Sequence, residues 1–115
     1  MLAKKYKITG AKDFNRVQVN GKVFQSENFG IAYIDRGDKD PSRFGFIVST
    51  KIAKAAVDRN RFKRAMSESV RLNNLYINPG YDIVFLAKTS ITRVPTAEIM
   101  KEVKNSLIKA SLMHQ

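Results

Sequence analysis

The chain has 115 residues, with 21 Lys and Arg against 10 Asp and Glu, one His and no Cys. This length predicts a single domain over residues 1–115 and excludes a multidomain enzyme, and 43% hydrophobic residues can fill its core. The lack of Cys excludes disulfide scaffolds, thiolate zinc sites and cysteine nucleophiles. Because the sequence has neither an 18-residue apolar run nor the apolar segment of a signal peptide, we expect a soluble, cytoplasmic protein.

The net charge of +11 indicates a polyanionic partner. Self-repulsion of this size destabilises a compact state, and nucleic acid is the commonest partner that offsets it. A merely basic, soluble protein is the alternative. An anionic membrane surface is disfavoured because no segment combines a broad apolar face with aromatic anchors and a Lys-rich face.

The N-terminal half predicts one helix and two strands. Residues 9–20 are expected to form a short helix capped by Thr9, with Phe14 and Val17 on one face. Residues 28–34 alternate as a strand, and residues 43–50 form a second strand after a turn-rich loop. Two neighbouring strands with a short loop predict an antiparallel hairpin.

The C-terminal half predicts a long helix, a buried strand and a last helix. Residues 53–73 contain no Gly or Pro, residues 81–88 are an apolar run that suits a central strand, and Pro95 begins the last helix. The order of elements predicts an α+β two-layer sandwich. The inner face of the last helix is expected to contain Ile99, Met100, Val103, Leu107 and Ala110, with Lys104 and Lys109 exposed.

The long helix is expected to dock on the sheet by one face and to present cations on the other. At about 100° per residue, its docking face contains Ala55, Phe62, Ala65, Met66 and Ser69. Asn60, Arg64 and Arg71 point away from the sheet, flanked by further Arg and Lys side chains. Arg suits phosphate because its planar fork binds two oxygens at once. The pattern favours an anion-binding helix but does not distinguish DNA from RNA.

The run from Lys51 to Arg64, KIAKAAVDRNRFKR, resembles the signature of the bacterial ribonuclease P protein subunit. Its core is Arg-Asn-Arg-x-Lys-Arg, preceded by a strand that ends in Ser and then Lys. Three further fragments agree with the family: Asp13-Phe14, Arg43-Phe44-Gly45 and Tyr81-Asp82-Ile83-Val84. The resemblance covers most of the chain.

The resemblance implies a protein that assists a catalytic RNA in removing the 5′ leader of precursor tRNA. The RNA, with bound Mg²⁺, would perform the hydrolysis, so no catalytic or metal-binding residue is expected in the protein, and no DNA or membrane partner. The family fold has a four-stranded, mostly antiparallel sheet with helices packed on it. It includes a left-handed βαβ crossover, which is against the usual right-handed preference.

The resemblance also implies two sets of site residues. Those expected to face the catalytic RNA are Arg59, Asn60, Arg61, Lys63 and Arg64. Phe14, Ser49 and Lys51 would belong to a cleft for the leader, between the first helix and the sheet.

The sequence departs from the family at three positions. Gln18 and Ala32 stand where aromatic residues are common, although Phe29 and Tyr33 are close to Ala32. Ser67 replaces a basic residue. The first two changes weaken the expectation of base stacking in the leader cleft, and the third removes one candidate phosphate contact.

Two other functions remain as alternatives. A ribosomal or other structural RNA-binding protein would follow the same charge logic without any link to processing. An RNA-independent nuclease is disfavoured, because the sequence shows no His-based acid–base pair and no carboxylate cluster for two-metal hydrolysis.

Overall fold

The computed structural model describes residues 2–114 and confirms the α+β class. Over this range, the helices and strands in chain order are α1 Ala11–Asn20, β1 Lys22–Gln25, β2 Phe29–Asp35, β3 Arg43–Ile47, α2 Ala56–Asn73, β4 Tyr81–Ala87 and α3 Thr96–Lys109. Single 3₁₀ turns occupy Lys4–Tyr6, Asn74–Tyr76 and Thr89–Arg93. Sequence reasoning missed β1, a short edge strand whose side chains are mostly exposed.

The strands form one mixed sheet in the order β1-β2-β4-β3. The β1–β2 and β2–β4 pairs are antiparallel, whereas β3 and β4 are parallel. The predicted hairpin between residues 28–34 and 43–50 is therefore wrong, because β4 lies between the two strands. Ile83, Val84 and Phe85 have no exposed surface, and a strand that is apolar on both faces favours the centre of a sheet. The central position predicted for residues 81–88 is confirmed.

A parallel pair needs a crossover connection, and α2 provides it between β3 and β4. The predicted βαβ crossover is thus present, and its left-handed sense stays a prediction from the resemblance. α2 begins at Ala56, three residues later than expected. Ala55 is wrong as a docking residue: its backbone is extended and the residue is exposed ahead of the first turn.

The remaining docking residues of α2 pack as predicted on one face of the sheet. Phe62, Ala65, Met66 and Ser69 are each at most 2% exposed. The hydroxyl of Ser69 donates to the carbonyl oxygen of Met100 at 2.7 Å and ties α2 to α3.

The inner face of α3 is also confirmed. Ile99, Val103 and Leu107 have no exposed surface, and Met100 and Ala110 are half-buried. Lys104 and Lys109 are exposed, as expected.

The opposite face of the sheet is covered only by α1. Phe14 and Val17 pack there with Ala32 and Val84, which confirms the face predicted for this helix. Thr9 does not cap it: α1 begins at Ala11, and the N-cap position belongs to Gly10 with φ +87°, a conformation that glycine adopts without strain.

Candidate RNA-binding surfaces

α2 displays its cations outside its docking face, and Asn60, Lys63 and Arg64 line a cavity at the β3 edge of the sheet. Asn60, Arg61 and Arg64 are exposed, and Arg59 and Lys63 are partly buried. Within residues 2–114, none of the four cations forms an ion pair with a carboxylate. The structure therefore brings the five predicted residues together as a cationic surface, which we call the α2 arc, whose charge is available to an external anion.

Two members of the α2 arc are held by contacts within the protein. The Arg59 guanidinium donates to the carbonyl oxygens of Ala53 at 3.0 Å and Lys54 at 2.6 Å, across the turn that enters the helix. The Arg61 guanidinium lies 4.4 Å from the ring centroid of Phe62, in cation–π range. Both contacts reduce the rotamer freedom that each side chain would lose on binding RNA.

Phe14 lies where α1 meets the edge strand β3. Its ring covers the backbone of Gly45 so closely that a Cβ at position 45 would be 2.3 Å from Cε1 of Phe14. Any larger residue at position 45 would displace the ring, so glycine is required for this close approach. Phe14 remains half-buried, and it lines cavities on both sides of its ring.

A buried carboxylate in the sheet helps to hold α1 in place. Asp82 in β4 has no exposed surface, and it accepts hydrogen bonds from Arg16 at 2.8 Å, Arg36 at 2.7 Å and Arg43 at 2.7 and 2.9 Å. Arg43 also lies 3.7 Å from the Asp13 carboxylate. Asp13 and Arg16, one helical turn apart, thus attach α1 to the sheet through ion pairs.

Burial alone would raise the pKa of Asp82, but the hydrogen bonds and positive charges of Arg43 and Arg36 bring it below its ordinary value. Sequence reasoning missed this cluster, although the family fragments quoted above contain most of its members. The available signal was a lone Asp within an apolar strand, because a carboxylate is almost never fully buried without a cationic partner.

Beside α1, part of the sheet face is uncovered and forms a groove, which we call the leader groove for the ligand that we propose for it below. It is a cavity of about 370 Å³ lined by Gln18, Val23, Gln25, Gly30, Ala32, Leu86 and Lys88. Phe29 and Tyr33 do not substitute for an aromatic residue at Ala32, since alternation along β2 places both on the opposite face. There Phe29 is fully buried and Tyr33 contacts Tyr81.

Ser49 and Lys51 lie in the segment that joins β3 to α2. Both are exposed in the turn after β3, where the carbonyl oxygen of Ser49 accepts from the backbone N–H groups of Ile52 and Ala53 at 3.0 and 3.2 Å. Neither residue lines the two cavities that Phe14 lines. One of those cavities instead joins Phe14 to Asn60, Lys63 and Arg64 of the α2 arc, a proximity that the sequence did not predict.

The described part of the chain shows no group of three or more His, Asp or Glu side chains placed to hold a metal ion. Between residues 2 and 114, no helix combines the length and apolar character needed to cross a membrane.

Comparison with known proteins decides the family. The Ribonuclease P family model matches residues 2–111. The chain belongs to the ribonuclease P protein family. The ribonuclease P protein component of Clostridium kluyveri is 39% identical over 109 residues, covering 93% of this chain and 96% of that protein. The component from Clostridioides difficile is 42% identical over 81% of each chain.

Solved structures of the family share the fold. The Staphylococcus aureus ribonuclease P protein at 2.0 Å superposes with a TM-score of 0.88 at 27% identity, covering 96% of this chain and all of that one. The Thermotoga maritima ribonuclease P protein gives a TM-score of 0.80 at 29% identity, over 90% and 96% of the two chains.

The family confirms the resemblance seen in the sequence. The chain is a protein component of ribonuclease P, an endoribonuclease that processes the 5′ end of tRNA, and its partner is the ribonuclease P RNA. The comparisons give no support to a ribosomal or other purely structural RNA-binding role.

Proposed function

We propose that the protein holds the catalytic RNA with the α2 arc and the 5′ leader of precursor tRNA in the leader groove. The observation that carries the proposal is that Phe14 lines one cavity together with the α2 arc and a second cavity together with Gln18, which itself lines the leader groove. A single domain over residues 1–115 would then contact enzyme RNA and substrate at once. Hydrolysis would be performed by the RNA and its bound Mg²⁺, and the bacterial relatives favour the cytoplasm as the site of action.

The α2 arc is suited to phosphate and sugar contacts. Arg59, Arg61, Lys63 and Arg64 supply the positive charge, and the amide of Asn60 can donate to or accept from a ribose or a base edge. Like-charge neighbours at helical spacing cost a few tenths of a kcal/mol each. A phosphate backbone would remove that cost, and the release of its counterions would add to affinity.

The leader groove suits a single strand of variable sequence. Gly30 and Ala32 give the groove a smooth floor and Lys88 supplies a positive charge. Phe14 offers a ring face in the neighbouring cavity, which Gln18 also lines. Stacking on an aromatic ring tolerates any base, which a leader of variable sequence requires. Ser49 and Lys51, in the exposed turn after β3, would meet the strand outside the groove rather than at the ring.

Reconstitution tests this proposal. The purified chain is combined with a ribonuclease P RNA, and cleavage of precursor tRNA is followed over a Mg²⁺ titration. We expect the protein to lower the Mg²⁺ concentration needed for cleavage and to increase affinity for precursor over mature tRNA. The chain alone should not cleave. Cleavage without RNA, or an unchanged Mg²⁺ requirement with equal affinity for both tRNAs, would overturn the proposal.

A further inference from the structure

The cavity that joins Phe14 to the α2 arc lies at the β3 edge of the sheet, whereas the leader groove lies over β1, β2 and β4. The cavity has a volume of about 400 Å³ and lies between the N-terminal segment, α1, β3 and α2. Leu2, Ile8 and Phe44, each at most 5% exposed, form an apolar floor, and the rings of Phe14 and Phe46 are half-buried at its side. We call it the edge cavity. Its size falls within the range of small-molecule sites.

The rim of the edge cavity is polar and positive. Lys7 lies on one side, and Asn60, Lys63 and Arg64 of the α2 arc lie on the other. No acidic residue is among the described residues that line it. These features suit a flat ring that is polar at its edge and attached to an anionic chain. The apolar floor and the aromatic wall would contact the ring, the amide its polar edge, and the three cations the chain.

Ser67 keeps this cavity open. The residue is 6% exposed, lines the cavity, and its hydroxyl donates to the carbonyl oxygen of Arg64 at 3.2 Å. A long basic side chain at this position, as the family resemblance leads one to expect, would project into the same space. The substitution that removed a candidate phosphate contact therefore creates room for a ligand.

We propose that the edge cavity binds one unpaired nucleobase of an RNA strand, with its neighbouring phosphates on Lys7, Lys63 and Arg64. The base would lie on the apolar floor beside Phe14, and the Asn60 amide would hydrogen-bond its edge. A paired base cannot enter, because it is stacked inside a helix; only a bulged or single-stranded nucleotide presents both ring faces. The inference rests on the proposed function, and the strand can come from the catalytic RNA or from the leader.

Filling the cavity without changing charge is the first test. Ser67→Leu places a larger apolar side chain in the cavity, and Ser67→Ala removes the same hydroxyl without filling it. We expect Ser67→Leu to weaken binding of ribonuclease P RNA or of a single-stranded leader RNA by about tenfold. The salt dependence should be unchanged, because no cation is lost. Ser67→Ala should bind like the wild type.

A fluorescent reporter gives the second test and identifies the source of the base. The chain has no Trp, so Phe46→Trp introduces a single indole at the cavity wall, and Phe24→Trp places one on the far edge strand as a control. We expect single-stranded leader RNA or ribonuclease P RNA to quench the indole fluorescence of the Phe46→Trp variant, and that of the Phe24→Trp variant much less. The RNA that quenches is the source of the base, and fully duplex RNA should leave both variants unchanged.

The outcomes separate this inference from the proposed function. If the wild type does not support cleavage with ribonuclease P RNA, the proposed function fails. If the wild type supports cleavage but Ser67→Leu binds both RNAs normally and neither RNA quenches the Phe46→Trp variant, only the edge cavity assignment fails. Equal quenching by duplex and single-stranded RNA also overturns it. Phe46→Trp decides the question should Ser67→Leu not fold.

Discussion

Helices cover one face of the sheet completely and the other face only in part. On the face under α2 and α3, Phe29, Ile31 and Phe85 have no exposed surface. The ring centroid of Phe85 lies 5.6 Å from that of Phe29 and 5.3 Å from that of Phe46. The face under α1 is covered only in part, and it leaves the leader groove open beside Gly30 and Ala32. Stability thus comes mainly from one face, and the other face is left open for the strand that we propose binds there.

Neighbouring residues of β4 test this division most directly. Phe85→Ala should destabilise the protein by about 3–5 kcal/mol, because it leaves a cavity in the face under α2 and α3. Leu86→Ala, one residue later on the groove side, removes a half-buried side chain, and should cost only about 1 kcal/mol. Urea unfolding measures both. Equal losses in the free energy of unfolding would mean that both faces contribute equally to stability.

Asp82 is the exception on the groove side, and Asp82→Asn should cost about 3 kcal/mol because it leaves guanidiniums without their buried counter-charge. The folded pKa of Asp82 is lowered by its arginines, so the unfolded chain binds the proton more readily. The ion-pair stabilisation is therefore complete above the ordinary Asp pKa of about 3.9, and is lost as pH falls below it.

Urea unfolding from pH 7 to pH 3 checks the Asp82 prediction. The wild type should lose stability more steeply at the acid end than Asp82→Asn does. Parallel pH profiles for the two proteins would show that the ion-pair cluster contributes nothing to folding.

Phe14 tests the function of the open face. Phe14→Ala should weaken binding of precursor tRNA by about 1 kcal/mol, the lower end for stacking on one ring, since Gln18 and Ala32 add no aromatic surface. Lys51→Ala should produce a smaller loss that disappears at high salt. Affinity for mature tRNA should hardly change. Equal losses for precursor and mature tRNA would assign these residues to stability or to docking of the catalytic RNA.

The α2 arc should show the smallest effects per residue, and they should appear in salt dependence. Replacing Arg64 by Gln should reduce the log–log salt slope of catalytic RNA binding by about one unit. Arg59→Gln should reduce it by less, since that guanidinium already donates to two carbonyl oxygens. Arg93→Gln, an exposed cation beyond β4, is the matched control. An unchanged slope in a folded Arg59→Gln, Arg64→Gln double variant would contradict the assignment.

The sequence predicted the positions of the helices and strands better than it predicted which strands pair. Alternating apolar residues identified β2 and β3, a continuous apolar run identified β4, and the placement of Gly and Pro identified α2 and α3, each to within a few residues. The pairing of β2 with β3 was wrong, since local turn signals carry no information about a strand that arrives later in the chain. The start of α1 was misplaced because Thr9 satisfies the capping rule, and the positive φ of Gly10 is visible only in the structure.

The same contrast holds for the candidate site: features within one segment were predictable, and features that depend on packing between segments were not. The α2 arc was predictable, because its residues are consecutive on one helix and helical geometry alone places them. Its proximity to Phe14 was not, because it depends on how α1 and α2 approach opposite sides of β3. The Asp82 cluster gathers side chains from α1, β3, β4 and the loop after β2, so no single segment contains its pattern.

The late position of β4 in the chain has a consequence for folding. β1 and β2 can pair locally as a hairpin, but β3 cannot join the sheet until β4 has paired with β2, so local pairing alone cannot complete the sheet. Folding must first close two long loops, as the pairing of Phe29 with Ala87 and of Arg43 with Asp82 shows. High contact order of this kind slows folding. A growing chain would therefore display its cations well before it has a groove in which to sort one RNA from another.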